Sequence, residues 1–206
     1  MKNRVRGPVL ALACLIAGSA TASAGIIPDP ASSDIPNVVV SPEGLLEYRV
    51  TIRSSTNTPL DGVMVLVKFN AAADGILCWC AGETHPEIMA TTNPAGEAVF
   101  FIRGGGCVDP AALGSIPAEV FADGIKMAEV GIVSPDAVDA AGLFPTSGWN
   151  PGGNCVVGLS DATFHTGAIS AGTSAFCSDM DSDGIVALAD AVLLTAPIAD
   201  GESCIQ

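Results

Sequence analysis

The segment from Asp179 to Asp190 constrains this chain more than any other. It reads Asp-Met-Asp-Ser-Asp-Gly-Ile-Val-Ala-Leu-Ala-Asp. Carboxylates at positions one, three, five and twelve, with glycine at the sharp turn of position six, are typical of a twelve-residue calcium loop. The sequence therefore predicts four carboxylate ligands and the backbone carbonyl of position seven, namely Asp179, Asp181, Asp183, Asp190 and Ile185.

Repulsion between these carboxylates links the loop to a cation. Four negative charges so close together favour the unfolded chain unless an ion neutralises them, so we expect folding and Ca²⁺ binding to be coupled here. The alternative interpretation is a solvated acidic turn in which Asp190 caps the following helix. Aspartate at position twelve is one methylene shorter than the usual glutamate, which requires a closer helix or gives a weaker site.

A weaker copy of the pattern lies upstream, from Asn150 to Asp161. In the same frame Asn150, Asn154 and Asp161 occupy positions one, five and twelve, and Cys155 replaces the turn glycine. Calcium affinity depends on the number of charged ligands, and Asp161 is the only carboxylate. The copy is therefore either a weak calcium site or a metal-free partner loop.

The residues after each loop repeat as well. The segment Leu159–Ile169 parallels Leu188–Ile198, with leucine, aspartate, alanine and isoleucine at matching offsets. Such internal similarity predicts two loop–helix units that bury their apolar faces against each other.

Two tandem units of this form resemble a type I dockerin, over about the last quarter of the chain. The resemblance implies two half EF-hands that together bind a cohesin domain of a scaffold or surface protein. It also implies that positions ten and eleven of each loop contact the partner. These residues are Leu159, Ser160, Leu188 and Ala189, and they differ from the Ser-Thr pairs of well-known dockerins.

Residues 1–24 have the pattern of a secretory signal peptide. Three basic residues precede an apolar stretch, and Ala22-Ser-Ala24 forms a small-residue cleavage site. The apolar stretch is too short for a membrane span, so no membrane insertion is expected after cleavage. Lipidation at Cys14 is an alternative.

Charge excludes several partners. Of 8 basic and 22 acidic residues, the signal peptide removes three basic ones, which leaves a net charge of about −17. No basic patch is present to replace phosphate counterions, so nucleic acid is excluded and anionic membranes are disfavoured.

Six cysteines remain after cleavage, and an even number in an exported chain predicts disulfides. A Cys177–Cys204 bridge would clamp the second loop–helix unit, and Cys107 could pair with Cys78 or Cys80. The remaining pairing stays open. A metal site formed by Cys78, Cys80 and His85 is a further alternative, although it lacks a fourth ligand.

Alternation with a period of two dominates residues 36–133. Apolar and polar residues alternate from Leu46 to Arg53 and again from Val63 to Phe69, and turn clusters separate these segments. Short strands at such spacing predict a β-sandwich. The patterns Asn-x-Pro-Leu-x-Gly-Val-x-Val and Thr-Thr-Asn-x-x-Gly-Glu-Ala-x-Phe resemble bacterial Ig-like adhesin domains, which implies a spacer or adhesive module without catalytic residues.

The sequence thus predicts a multidomain protein in which an all-β Ig-like sandwich precedes a small α-helical dockerin-like module of paired half EF-hands. The boundaries are 25–133 for the sandwich, 134–148 for a linker and 149–206 for the module. No catalytic motif is recognisable, so an enzyme is not expected. We expect a secreted or cell-surface calcium-binding protein that docks a cohesin-like or other surface protein in an extracellular assembly. The alternatives are a structural surface protein whose repeat only stabilises the Ig-like domain, and a small carbohydrate-active protein.

Overall fold

A computed structural model describes residues 27–137, 153–171 and 176–204. The predicted signal peptide, Asn150 and most of the predicted linker lie outside these described residues. Within them, no helix combines the length and apolar character needed to cross a bilayer.

Ten strands and two short helices occupy the first described range, and two longer helices occupy the others. In chain order the elements are β1 (Val38–Val39), β2 (Tyr48–Thr51), β3 (Met64–Phe69), α1 (Ala71–Asp74), β4 (Cys78–Trp79), β5 (Glu87–Thr91), β6 (Glu97–Phe100), β7 (Gly104–Gly105), α2 (Pro110–Leu113), β8 (Ala118–Ala122), β9 (Ile125–Val130), β10 (Ile132–Val133), α3 (Leu159–Ala171) and α4 (Leu188–Asp200). A short 3₁₀ helix, Phe176–Ser178, precedes the second loop.

The largest sheet is antiparallel, with strand order β5-β3-β8-β9. In β3 the side chains of Val65, Val67 and Phe69 are buried, whereas Met64 and Lys68 are exposed, as the period of two predicts. The turn Asp123-Gly124 joins β8 to β9 and has positive φ at both residues, which is the geometry that a two-residue hairpin requires.

The other strands form three pairs. Strands β2 and β6 are antiparallel, β4 and β7 are antiparallel, and β1 runs parallel to β10, with Val38 opposite Ile132. Their buried side chains join those of the larger sheet in one apolar cluster. This cluster also contains Met180 and Leu194 from the C-terminal part, by which we mean residues 153–171 and 176–204. Phe176 packs so closely on Gly131 that a Cβ atom there would lie 2.1 Å from its ring.

The predicted fold class, an Ig-like sandwich followed by a separate helical EF-hand module, is wrong. About 23% of the described residues are helical and about 30% lie in strands, and the strands are divided among one four-stranded sheet and three pairs. The structure is a small mixed domain. Apolar side chains from the helical part lie in the same core as the strands, which the alternating pattern of residues 36–133 does not reveal.

Helices α3 and α4 agree with the internal repeat. Each has 13 residues, they begin at the corresponding residues Leu159 and Leu188, and they contact each other. Helix α4 ends at Asp200, and the next residue, Gly201, has the left-handed conformation that commonly terminates a helix.

Three disulfides join the strand-rich part, residues 27–137, to the C-terminal part. The pairs are Cys78–Cys155, Cys80–Cys204 and Cys107–Cys177. The expected Cys177–Cys204 bridge and the expected bridges within the first part are not formed. Every pair crosses the predicted domain boundary, so the covalent links also join the two parts into one unit.

We predict that these crossing bridges contribute much of the stability. Each spans at least 70 residues of chain, and closing loops of that length typically contributes about 2–4 kcal/mol. Replacing both Cys107 and Cys177 by serine should lower the Tm by roughly 5–15 °C in a thermal melt. Mass spectrometry of a non-reducing digest checks the pairing, and a linked Cys177–Cys204 peptide would contradict it.

Candidate metal centre

The second loop brings three of the predicted ligands together. One carboxylate oxygen each from Asp179, Asp181 and Asp183 lies within 4.8 Å of the others. The chain reaches this arrangement through two left-handed residues, Ser182 with φ 60° and Gly184 with φ 83°. Glycine adopts that conformation at little cost, so its place at the sharp turn is explained.

Asp179 is the most buried of the three, with 9% of its surface exposed. Its Oδ2 accepts a hydrogen bond of 3.0 Å from the Gly184 amide, whereas its Oδ1 is buried without a hydrogen-bond partner. Burial raises the pKa of Asp179, and repulsion from Asp190, Asp181 and Asp183 adds to this effect. A buried acceptor left unpaired costs about 1–3 kcal/mol, so this oxygen favours a cation beside it.

Asp190 closes the loop through the backbone. It is fully buried in the first turn of α4. Its Oδ1 accepts from the amide of Met180 at 2.7 Å, and its Oδ2 accepts from the amide of Ala187 at 2.7 Å. The carboxylate thus ties the beginning of the loop to its end, and it is not part of the three-carboxylate cluster.

Position seven is occupied by an exposed residue. The amide of Ile185 donates to Asp183 Oδ1 at 2.7 Å. This contact turns the backbone at the position where the sequence predicts a carbonyl ligand.

The first loop is organised by similar contacts. Asn154 Oδ1 accepts from the Val156 amide at 2.9 Å. Asp161 is buried, and its two oxygens accept from the amides of Ala137 at 2.9 Å and Gly158 at 2.8 Å. Among the described residues, no group of three His, Cys, Asp or Glu side chains suitable for a metal includes Asp161.

A buried carboxyl that the sequence frame does not include lies beside the first loop. Asp136 is fully buried and accepts from the amides of Asn154 and Cys155. Burial raises the pKa of Asp136 to about 7, and repulsion from Asp161 adds to this effect, whereas the backbone donors lower it. The sequence gives no local signal for this residue because it precedes the loop frame by many positions.

His165 in α3 connects the two loops. Its Nε2 lies 3.1 Å from the Pro135 carbonyl and its Nδ1 lies 3.0 Å from Ser178 Oγ. Because a carbonyl can only accept, Nε2 carries the proton and Nδ1 accepts from the serine hydroxyl in the neutral ring. Burial lowers the pKa of His165, so the neutral form is favoured. The His165 side chain is completely buried.

The alternative metal site at Cys78, Cys80 and His85 does not have free thiols, because Cys78 and Cys80 are both in disulfides. His85 instead stacks on Trp79, and both rings contact Asp74 Oδ1.

Apolar side chains lie exposed beside both loops. Leu159 and Leu188, the first residues of α3 and α4, are 84% and 76% exposed, and Ile185 and Val192 are also exposed. Leucine side chains this accessible at two equivalent positions provide a surface on which another molecule can bury apolar area.

Comparison with known proteins adds no family or function, since no family model, curated protein or solved structure matches the chain.

We predict that His165 makes stability depend on pH. Because its folded pKa lies below its ordinary value of 6.5, the unfolded state binds more protons, and stability is lost as the pH falls below that value. At about pH 7.5, His165→Gln should lower the free energy of unfolding by about 1–3 kcal/mol.

Urea denaturation at several pH values measures this effect. The difference in the free energy of unfolding between wild type and His165→Gln should shrink as the pH falls from about 7.5 to about 5.5. Acidification destabilises the wild type by favouring the protonated histidine of its unfolded state, whereas the variant has no histidine at this position. A difference that grows on acidification would refute the assignment of a buried neutral ring.

Proposed function

We propose that the second loop binds one Ca²⁺ and that the protein is an exported, non-catalytic calcium-binding protein. The observation that carries this proposal is the buried, unpartnered Oδ1 of Asp179, in a residue whose carboxylate clusters with Asp181 and Asp183. A cation coordinated there would pair this oxygen and neutralise the mutual repulsion of the three groups. The three disulfides support export, because such bonds persist in oxidising compartments.

The type of ligand favours calcium over other metals. The converging atoms are carboxylate oxygens, which suit hard cations, and no imidazole or free thiolate belongs to the group. An irregular loop with several carboxylates suits Ca²⁺, which accepts six to eight oxygens in flexible geometry, better than Mg²⁺.

We predict that removing one charge from the cluster weakens calcium binding. Asp181→Asn and Asp183→Asn retain a side-chain oxygen, so each can still accept from the amide two residues ahead. Each should raise the Kd for Ca²⁺ by about tenfold or more, because affinity follows ligand charge. Isothermal titration calorimetry of the full chain measures this.

Asp61→Asn is the matched control, since Asp61 is exposed in a turn before β3 and lies outside the loops. It removes the same charge and should leave the Kd within about twofold. If the wild type gives no calorimetric signal with Ca²⁺ and no rise in Tm, the calcium proposal fails.

We further propose that the exposed ends of α3 and α4 dock a protein partner such as a cohesin-like surface domain. Leu159 and Leu188 are equivalent in the two repeats, and Ser160 and Ala189 follow them. Calcium would order the segment that leads into α4 and so present the second half of this surface.

A structural role is the second candidate. The shared core and the three crossing disulfides favour a C-terminal part that stabilises the strands and recognises no partner.

Affinity capture separates these two functions. With immobilised full chain and an extracellular protein fraction of the source organism, docking predicts a bound protein in Ca²⁺ that a chelator releases. The double variant Leu159→Asp/Leu188→Asp should lose it, because two charges are placed in an apolar contact. Met89→Asp is the control, since Met89 is an exposed apolar residue of β5 and belongs to neither helix. Absence of any calcium-dependent capture by the wild type would support the structural role, and equal capture by both variants would refute docking at the helix ends.

A further inference from the structure

The two loops can be compared contact by contact. In the second loop, Asp179 Oδ2 at position one accepts from the amide of Gly184 at position six, at 3.0 Å. In the first loop, the position-six residue is Cys155, and its amide donates to Asp136 Oδ2 at 2.7 Å. Cys155 has the same left-handed conformation as Gly184, with φ 61° against 83°. Asp136 therefore makes the contact that defines position one.

Three further hydrogen bonds match in the same register. Position two donates to Oδ1 of position twelve, position seven donates to Oδ1 of position five, and position nine donates to Oδ2 of position twelve. In the first loop these donor and acceptor pairs are Ala137 to Asp161, Val156 to Asn154 and Gly158 to Asp161. In the second loop they are, in the same order, Met180 to Asp190, Ile185 to Asp183 and Ala187 to Asp190.

We infer that Asp136 is the position-one residue of the first loop. Residues 138–153 are then an insertion that replaces positions three and four, which in the second loop are Asp181 and Ser182. The Asp136 carboxylate holds the first loop together without a cation. Asp136 is then a positioning residue for the Leu159 end of α3. The position-one assignment stands on hydrogen bonds alone, whereas its consequence of one Ca²⁺ per chain rests on the proposed function.

Close packing is the reason for expecting no ion at Asp136. A Cβ atom on Gly105 or Gly153 would lie 1.9 or 2.0 Å from Asp136 Oδ2, so backbone surrounds this carboxylate. Both of its oxygens accept from amides, whereas Asp179 retains an unpartnered oxygen. Cys155 is also bonded to Cys78, which fixes the turn covalently.

His165 connects the two position-one residues. Pro135 and Ser178, its two hydrogen-bond partners, directly precede Asp136 and Asp179. A single side chain of α3 thus sets the spacing between the beginnings of both loops, which supports their equivalence.

Nuclear magnetic resonance with amide hydrogen exchange tests the assignment in the full chain. Asp136→Asn replaces one of the two accepting oxygens by an NH₂ group, so one of the Asn154 and Cys155 amides loses its acceptor and should shift upfield and exchange at least about tenfold faster. The Met180 and Gly184 amides should keep their shifts and rates. Asp61→Asn is the control for loss of charge. Unchanged Asn154 and Cys155 amides in Asp136→Asn would overturn the assignment.

Gly153→Ala keeps the test decisive if Asp136→Asn does not fold. Its Cβ would clash with Asp136 Oδ2, so the Tm should fall by roughly 5–10 °C, whereas Gly167→Ala in α3 meets nothing within 4 Å and should not lower it. An equal Tm for Gly153→Ala and the wild type would count against the enclosed carboxylate.

Calcium stoichiometry tests the cation-free state. Native mass spectrometry should show one bound Ca²⁺ in both wild type and Asp136→Asn. Two ions in the wild type and one in Asp136→Asn would overturn the inference by making Asp136 a ligand. No bound ion would refute the proposed function, and the amide pattern would still decide the position-one role.

Discussion

Hydrogen bonds from backbone amides to two buried aspartates determine the geometry of the C-terminal part. Asp161 and Asp190 each lie in the first turn of a helix and accept from amides on both sides of the preceding loop. A carboxylate at a helix N-terminus is stabilised by the free amides and by the helix dipole, so these residues can be fully buried. The helix direction, the loop closure and the exposure of Leu159 and Leu188 all follow from this arrangement.

Local sequence patterns revealed the two loop–helix repeats, but they missed the contacts made by residues that are distant in sequence. The equivalence of Leu159 and Leu188 as helix starts, and the gathering of Asp179, Asp181 and Asp183, follow from spacing within a short window. Asp136 could not be found in this way, because an insertion separates it from the rest of its loop and sequence spacing no longer reports spatial spacing.

The prediction of the fold class was wrong for a related reason. Alternation along each strand correctly indicates one buried face, but it does not say what covers that face. Here Met180, Leu194 and Phe176 contribute from the C-terminal part, and cysteines from both parts pair with each other. Six cysteines allow fifteen pairings, so the crossing arrangement could not be derived from composition. The burial of His165 has no local signal in the sequence, because its hydrogen-bond partners Pro135 and Ser178 are distant in sequence.

The crossing disulfides change what the proposed Ca²⁺ would have to order. In a loop without covalent support, the ion must offset the entropy of ordering the whole segment, and binding is then coupled to folding. Here Cys177 and Cys204 anchor the residues before and after the second loop–helix unit, and Met180 lies in the shared core. Much of the ordering would therefore be complete before an ion binds, and the proposed coupling would be confined to the acidic turn. Preorganisation of this kind favours binding, whereas the short Asp190 side chain, already engaged by backbone amides, weakens it. In the proposed function, calcium would therefore adjust one exposed helix end and leave the core unchanged.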